Sequence, residues 1–91
     1  MNKKRDRLQI IHDILNAIQE KNGEIKPTHI LYKSNLSSQM LDGYLGDLIA
    51  KNFITPLKTR KGKTYTLNDR GYAYLQKYAL IKEFIDSFGL N

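Results

Sequence analysis

A chain of 91 residues, 41% hydrophobic and 26% charged, has the balance of one ordinary globular domain, because a second domain would leave each half too little interior to be stable. It contains no cysteine, which excludes disulfides and thiolate metal sites and accords with a reducing, cytoplasmic setting. The net charge of +6 favours polyanionic partners, nucleic acid first and acidic membrane surfaces second. The basic start, Met1 to Arg7, runs into Gln9, His12, Asp13 and Asn16, so it does not read as a signal peptide. No apolar run approaches the ~18 residues that span a bilayer.

The first periodic stretch runs from about Lys4 to Lys21. Leu8, Ile10, Ile11, Ile14, Leu15, Ala17 and Ile18 recur at helical spacing and cover about half the circumference, enough to touch two neighbours. Asn22-Gly23 ends it, with Gly23 expected as the left-handed cap. Glu24-Ile25-Lys26 has room only for a short extended segment. Pro27 then opens a helix of about two turns carrying Ile30, Leu31 and Tyr32, which stops at Ser34-Asn35. Ser37 is a good N-cap for a third helix, from Ser38 to about Asn52, with Leu41, Leu45, Leu48 and Ile49 on its inner side. Two helices joined this closely form a helix-turn-helix pattern.

Phe53-Ile54-Thr55 and Thr64-Tyr65-Thr66-Leu67 are β-prone runs around a turn containing Gly62. Pro56 is expected to limit the first run, and an edge strand is where a proline is tolerated. The turn region carries Lys58, Arg60, Lys61 and Lys63 with no acid among them. After it, Asn68 or Asp69 can cap a last helix reaching about Phe88. Its residues Tyr74, Tyr78, Ile81, Ile85 and Phe88 step by four, three, four and three, a coiled-coil-like seam broadened by Leu80 and Phe84. Nineteen residues span roughly 28 Å at 1.5 Å each, about twice what so small a domain offers for packing, so the remainder needs a partner. The order predicts an α+β but mostly α fold: a winged helix-turn-helix with a long C-terminal helix. Residues 1–68 form the helix-turn-helix and wing, and 69–91 a dimerising helix.

Three groups of residues are candidates for a nucleic-acid surface. The hairpin cations Lys58, Arg60, Lys61 and Lys63 can reach phosphates on either side of a groove. On the third helix, Ser38, Gln39, Asp42, Gly43 and Gly46 face outward with Tyr44 and Asp47 at the margins; Gln39 suits adenine, and Asp42 can accept from a cytosine amino group. Asp42 and Asp47 give this helix a charge of −2, which opposes a polyanion. The same face also reads simply as the polar side of a packing helix. A basic N-terminus with Lys3, Lys4, Arg5 and Arg7 against the single acid Asp6, together with His29 and Lys33 of the second helix, makes the third group. His12 and His29 lack partners at ligand spacing, so no metal or other cofactor is expected, and no small-molecule site is legible. No nucleophile and base pair up, so an enzyme is not expected. The tyrosines fit core and seam positions better than base-stacking platforms.

Residues 28–37 (Thr-His-Ile-Leu-Tyr-Lys-Ser-Asn-Leu-Ser), Tyr44-Leu45, Leu48, Phe53-Ile54, residues 65–71 (Tyr-Thr-Leu-Asn-Asp-Arg-Gly), Tyr74-Leu75 and Tyr78 resemble the small archaeal winged-helix DNA-binding proteins, viral members included. The resemblance runs from about Leu8 to Tyr78. It implies a core of Leu36, Tyr44, Leu45, Leu48, Phe53, Ile54 and Leu67, and close packing at Gly71. It also implies DNA contacts from the third helix and wing, a homodimer joined through the last helix, and transcriptional regulation. Where the family has a glycine before Phe53, this chain has Asn52, which also suits a left-handed cap. The expected function is double-stranded DNA binding by a homodimeric regulator. The alternatives are a winged-helix adaptor between proteins and sequence-independent, chromatin-like coating of DNA.

Overall fold

The computed structural model describes residues 5–22 and 24–89. Lys3, Lys4 and the expected cap at Gly23 lie outside the described residues. Four helices and one hairpin follow in the order α1 (Arg7–Glu20), α2 (Pro27–Ser34), α3 (Ser38–Ala50), β1 (Ile54–Thr59), β2 (Gly62–Leu67) and α4 (Asp69–Ser87). This is the winged helix-turn-helix arrangement with a long last helix.

The helix limits follow from local chemistry. The α1 helix begins at Arg7 rather than near Lys4, because Asp6 is extended and its carboxylate accepts from the Gln9 N–H at 2.9 Å, which makes it the N-cap. Ser37 caps α3 in the same way, accepting from the Met40 N–H at 3.2 Å. Asn22, Asn35 and Asn52 lie in the left-handed region, with φ of 52°, 54° and 64°, so an asparagine turns the chain after each of the first three helices. The expectation for Asn52 holds.

Helix α1 is the centre of the core. Ile14, Leu15 and Ile18 are fully buried, as are Ile25, Ile30 and Ile54 from the elements packed around it. Each such side chain contributes about 1.5–3 kcal/mol by leaving water. Leu41, Leu45 and Leu48 supply the face of α3, while Tyr65, Leu67 and Leu75 close the far side. The wide apolar arc of α1 therefore meets several neighbours, α2, β2 and α4. Leu36, Tyr44 and Phe53 pack against this core while staying partly exposed.

In the hairpin, β1 and β2 pair antiparallel with Ile54 opposite Leu67 and Thr59 opposite Gly62. Pro56 does not limit the first strand; it lies inside it, opposite Tyr65. The reason lies in hydrogen-bond direction. The Tyr65 N–H points away from β1 and donates to the Ile25 carbonyl at 3.2 Å, in a single bridge that adds Ile25 as a third edge. Pro56 and Tyr65 thus form a non-hydrogen-bonded pair, where a missing N–H costs nothing. Gly62 begins β2 at φ 114°, leaving Arg60 and Lys61 as the two-residue turn. The Thr59 hydroxyl braces it, donating to the Gly62 carbonyl at 2.8 Å and accepting from the Lys61 N–H at 3.2 Å.

The base of the hairpin and the start of α4 form one junction. Asn68 holds the cap position, but its side chain does not cap the helix. It accepts from the Thr55 hydroxyl at 2.6 Å and donates to Asn52 Oδ1 at 2.8 Å, tying the end of α3 to both strands. Arg70 donates to the Lys51 carbonyl at 3.0 Å and lies over the Phe53 ring, 4.7 Å from its centroid. Gly71 is buried there, and a Cβ on it would stand 2.6 Å from the Phe53 carbonyl oxygen and 3.1 Å from Leu67 Cδ2. Beyond Leu75 no residue of α4 is buried, and residues 79–89 are all exposed.

Gly71→Ala is therefore expected to destabilise the fold by about 1–3 kcal/mol, the usual cost of overpacking, despite alanine's better helix propensity. Thermal unfolding checks it, and an equal or higher midpoint would contradict the close approach.

Candidate nucleic-acid interface

All four hairpin cations, Lys58, Arg60, Lys61 and Lys63, are exposed, and among the described residues none has an ion-pair partner. Lys58 sits directly opposite Lys63. The alternation that places Pro56 and Tyr65 in a non-hydrogen-bonded pair repeats two residues along, so the lysines occupy the pair type with the closest side chains. Like charges so placed disfavour the hairpin. Lys63 lies 5.9 Å from the centroid of the Tyr65 ring, a weak cation-π contact that offsets part of this. Glu24 is the one acid nearby, sharing a shallow groove with Lys26, Arg60 and Lys61 without pairing to either wing residue.

On α3, Ser38, Gln39, Asp42, Gly43 and Gly46 are exposed, as their spacing implies. Asp47 is not a marginal, uncompensated acid. Its carboxylate is held by Arg7 Nη2, arriving from the start of α1, and by Lys51 Nζ at 3.3 Å from the next turn. Arg7 also lies over the Tyr44 ring, 5.3 Å from its centroid. On this face Asp47 therefore meets two cations while Asp42 has no ion-pair partner among the described residues, and the charge of −2 assigned to the isolated helix does not describe the folded surface. Arg7, Gln39, Met40, Gly43, Tyr44, Asp47 and Lys51 line an open basin of about 490 Å³. Lys51 was legible in the sequence as the i,i+4 partner of Asp47. Arg7 stands out in the sequence only as part of the basic N-terminal cluster; nothing local marks its pairing with Asp47, forty positions away.

The third group changes most. The Arg5 guanidinium donates to Asp13 Oδ2 at 2.6 Å and to the Asn35 carbonyl at 3.2 Å, with its side chain only 25% exposed. It pins the N-terminus to α1 and to the left-handed turn after α2, so two of its contacts lie within the fold. Lys33 is exposed and pairs with Glu20 at 3.3 Å. His29 is exposed, and neighbouring Tyr32, expected in a packed position, is 80% exposed instead.

The seam on α4 divides in two. The Tyr74 hydroxyl donates to the Leu8 carbonyl at 2.7 Å, and Tyr78 stacks on His12 with centroids 4.2 Å apart. Burial pushes both tyrosine hydroxyls above their ordinary pKa. These two residues thus clasp α1. Ile81, Ile85 and Phe88, joined by Leu80 and Phe84, are exposed, and the Phe84 and Phe88 rings pack together with centroids 5.0 Å apart. Between the two halves, Leu8, Tyr74, Tyr78, Ile81 and Ile85 line an apolar cleft of about 280 Å³. Among the described residues no group of side chains is arranged to hold a metal ion, and no helix is long and apolar enough to cross a membrane.

This architecture is that of a winged helix-turn-helix protein, and a family model of that description matches residues 4–86; the chain belongs to that family. Over 74 residues it is 38% identical to an uncharacterized protein, MJ0290, of the archaeon Methanocaldococcus jannaschii, a match that takes in 81% of this chain and 32% of that protein. The chain therefore spans about a third of the length of that relative. Among solved structures it resembles Sso10a-2, a DNA-binding protein from Sulfolobus solfataricus, at a TM-score of 0.74 and 18% identity, covering 93% of this chain and 90% of that one. It also resembles MepR, a transcription regulator of the Staphylococcus aureus multidrug efflux pump MepA, at a TM-score of 0.77 and 13% identity, covering 87% and 60%.

Because Arg5 is committed within the fold, Arg5→Ala is expected to lower stability by about 1.5–3 kcal/mol, the range for hydrogen bonds to charged groups. A denaturant titration measures this; an unchanged midpoint would mean the pinning contact contributes nothing.

Proposed function

We propose that this protein binds double-stranded DNA as a homodimer and regulates transcription. The observation that carries this reading is the wing: four exposed, unpaired cations on one hairpin, two of them directly opposed at a cost to the hairpin itself. Among the described residues the only internal return on that arrangement is the weak contact of Lys63 with Tyr65, so it favours an external polyanion, and phosphates spaced along a duplex supply one. The likeness to Sso10a-2 and MepR, described respectively as DNA-binding and as a transcription regulator, supports the reading. In it the wing cations hold phosphates, while Ser38, Gln39, Asp42 and Gly43 lie along the groove and His29 and Lys33 flank it. Recognition by binding, not catalysis, is the chemistry these residues offer.

The dimer in this reading forms through the free half of α4. Leu80, Ile81, Phe84 and Phe88 are each 60–65% exposed and adjoin Ile85, forming an apolar patch along the last turns. Such a patch calls for a cover. A second copy presents the same surface, and two-fold pairing of like patches is the commonest solution for a soluble chain. It would place two wings on one duplex with half-sites about one turn apart.

Two measurements test this. Replacing Arg60, Lys61 and Lys63 together by alanine is expected to weaken duplex binding and to reduce the salt slope by up to about three times 0.9 logarithmic units. An unchanged slope would remove the wing from the interface. In the same titration, preference for one site by more than about 10³ marks a regulator, and tight binding to any duplex marks a coating protein. Ile81→Asp with Ile85→Asp is expected to convert dimer to monomer in light scattering, and a wild type already monomeric would refute the α4 interface.

A further inference from the structure

Arg7 is left without a stability role proportionate to its contacts. Its side chain is 59% exposed, and an ion pair so open to solvent contributes little to folding. Yet it is held from two sides, by the Asp47 carboxylate and by the face of the Tyr44 ring 5.3 Å away. Of its donors only Nη2 has a partner among the described residues. The rest of the planar fork remains over a basin whose walls include Gln39 and Gly43. Gln39, Gly43 and Asp47 follow one another at four-residue steps, so the basin lies on the outward face of α3. A Cβ on Gly43 would meet no atom of the chain within 4 Å, so nothing internal fills that space.

We infer that Arg7, carried by α1 but presented on the outer face of α3, is a DNA-contacting residue, and that Asp47 is its positioning residue. The assignment rests on the DNA-binding reading above. A guanidinium pre-oriented by a carboxylate keeps parallel N–H donors for a pair of acceptors. On a duplex such pairs are guanine O6 with N7 or two phosphate oxygens. Lys51, sharing Asp47 from the other side, compensates the carboxylate so that the basin is not acidic. The two aspartates of α3 then differ in role. Asp42, with no ion-pair partner among the described residues, faces the ligand as a bare acid, whereas Asp47 faces it through the cation it holds.

The test is a double-mutant cycle on duplex affinity, with thermal unfolding of each variant as the control on folding. Arg7→Ala is expected to weaken binding at least about tenfold, the scale of one lost bidentate contact. Asp47→Asn should weaken binding when Arg7 is present and should not weaken it in the Arg7→Ala background. A merely repulsive acid behaves in the opposite way, and equal tightening by Asp47→Asn in both backgrounds overturns the assignment. If Arg7→Ala does not fold, Arg7→Lys, which keeps the charge but loses the fork, is expected to weaken binding at least threefold, and unchanged affinity again overturns it. Selection from randomised duplexes separates the two acceptors: relaxed preference at one base pair identifies guanine, and a salt slope lower by about 0.9 with preference unchanged identifies phosphate. A wing variant that weakens binding beside an Arg7→Ala protein that does not overturns this assignment alone. Wild-type protein that binds no duplex at low salt overturns it together with the DNA-binding reading.

Discussion

The carbonyl of Phe53 is the point on which this structure turns. It accepts from the Asn68 N–H at 2.9 Å, which closes the base of the hairpin, and Gly71 at the start of α4 lies directly against it. The hairpin and the last helix therefore share one anchor. Asn68 adds its side chain to the same knot, reaching Thr55 and Asn52, and Arg70 secures the carbonyl at the end of α3. Through these few bonds the directions of α3, the wing and α4 become a single geometric relation. A wing can hold a groove in register with a helix only if that relation is rigid, since a displacement of an ångström or so at the base is larger at the tip.

The distribution of charge shows what the fold adds. As a list, the chain places its cations at the N-terminus, in the hairpin and singly elsewhere, and two of its nine acids on the third helix. Folding spends Arg5 on Asp13, Lys33 on Glu20, and Arg7 with Lys51 on Asp47. The wing tip alone keeps a cluster of four unpaired cations among the described residues. The paired cations tie elements of the fold to one another; the wing cations stress it, most plainly where Lys58 faces Lys63.

The apolar residues divide along the same lines. The core is complete by Leu75, and Tyr74 and Tyr78 still work for it by clasping α1. From Leu80 onward the helix continues with large apolar side chains and nothing of its own to bury them against.

Much of this was legible in the sequence because it depends on local spacing. The heptad-like steps of the leucines on α3, the serine cap before it, the asparagine stops and the cluster of hairpin cations are all set by neighbours a few residues apart, whereas the close packing at Gly71, against Phe53, was implied only by the family resemblance. The strand through Pro56 was not legible, because whether a proline is tolerated depends on which way its partner's N–H points, and Ile25 decides that from thirty-one residues upstream of Pro56. Arg5 and Arg7 likewise read as one basic arm. Only the tertiary structure sends Arg5 to Asp13 and Asn35 and Arg7 across to Asp47, since which carboxylate each of two like charges meets is settled by how the folded chain brings them together. Sequence determined the elements, their order and the charged tip of the wing; the tertiary structure decided which charges remain for a ligand, because pairing depends on distance in space and not on separation along the chain.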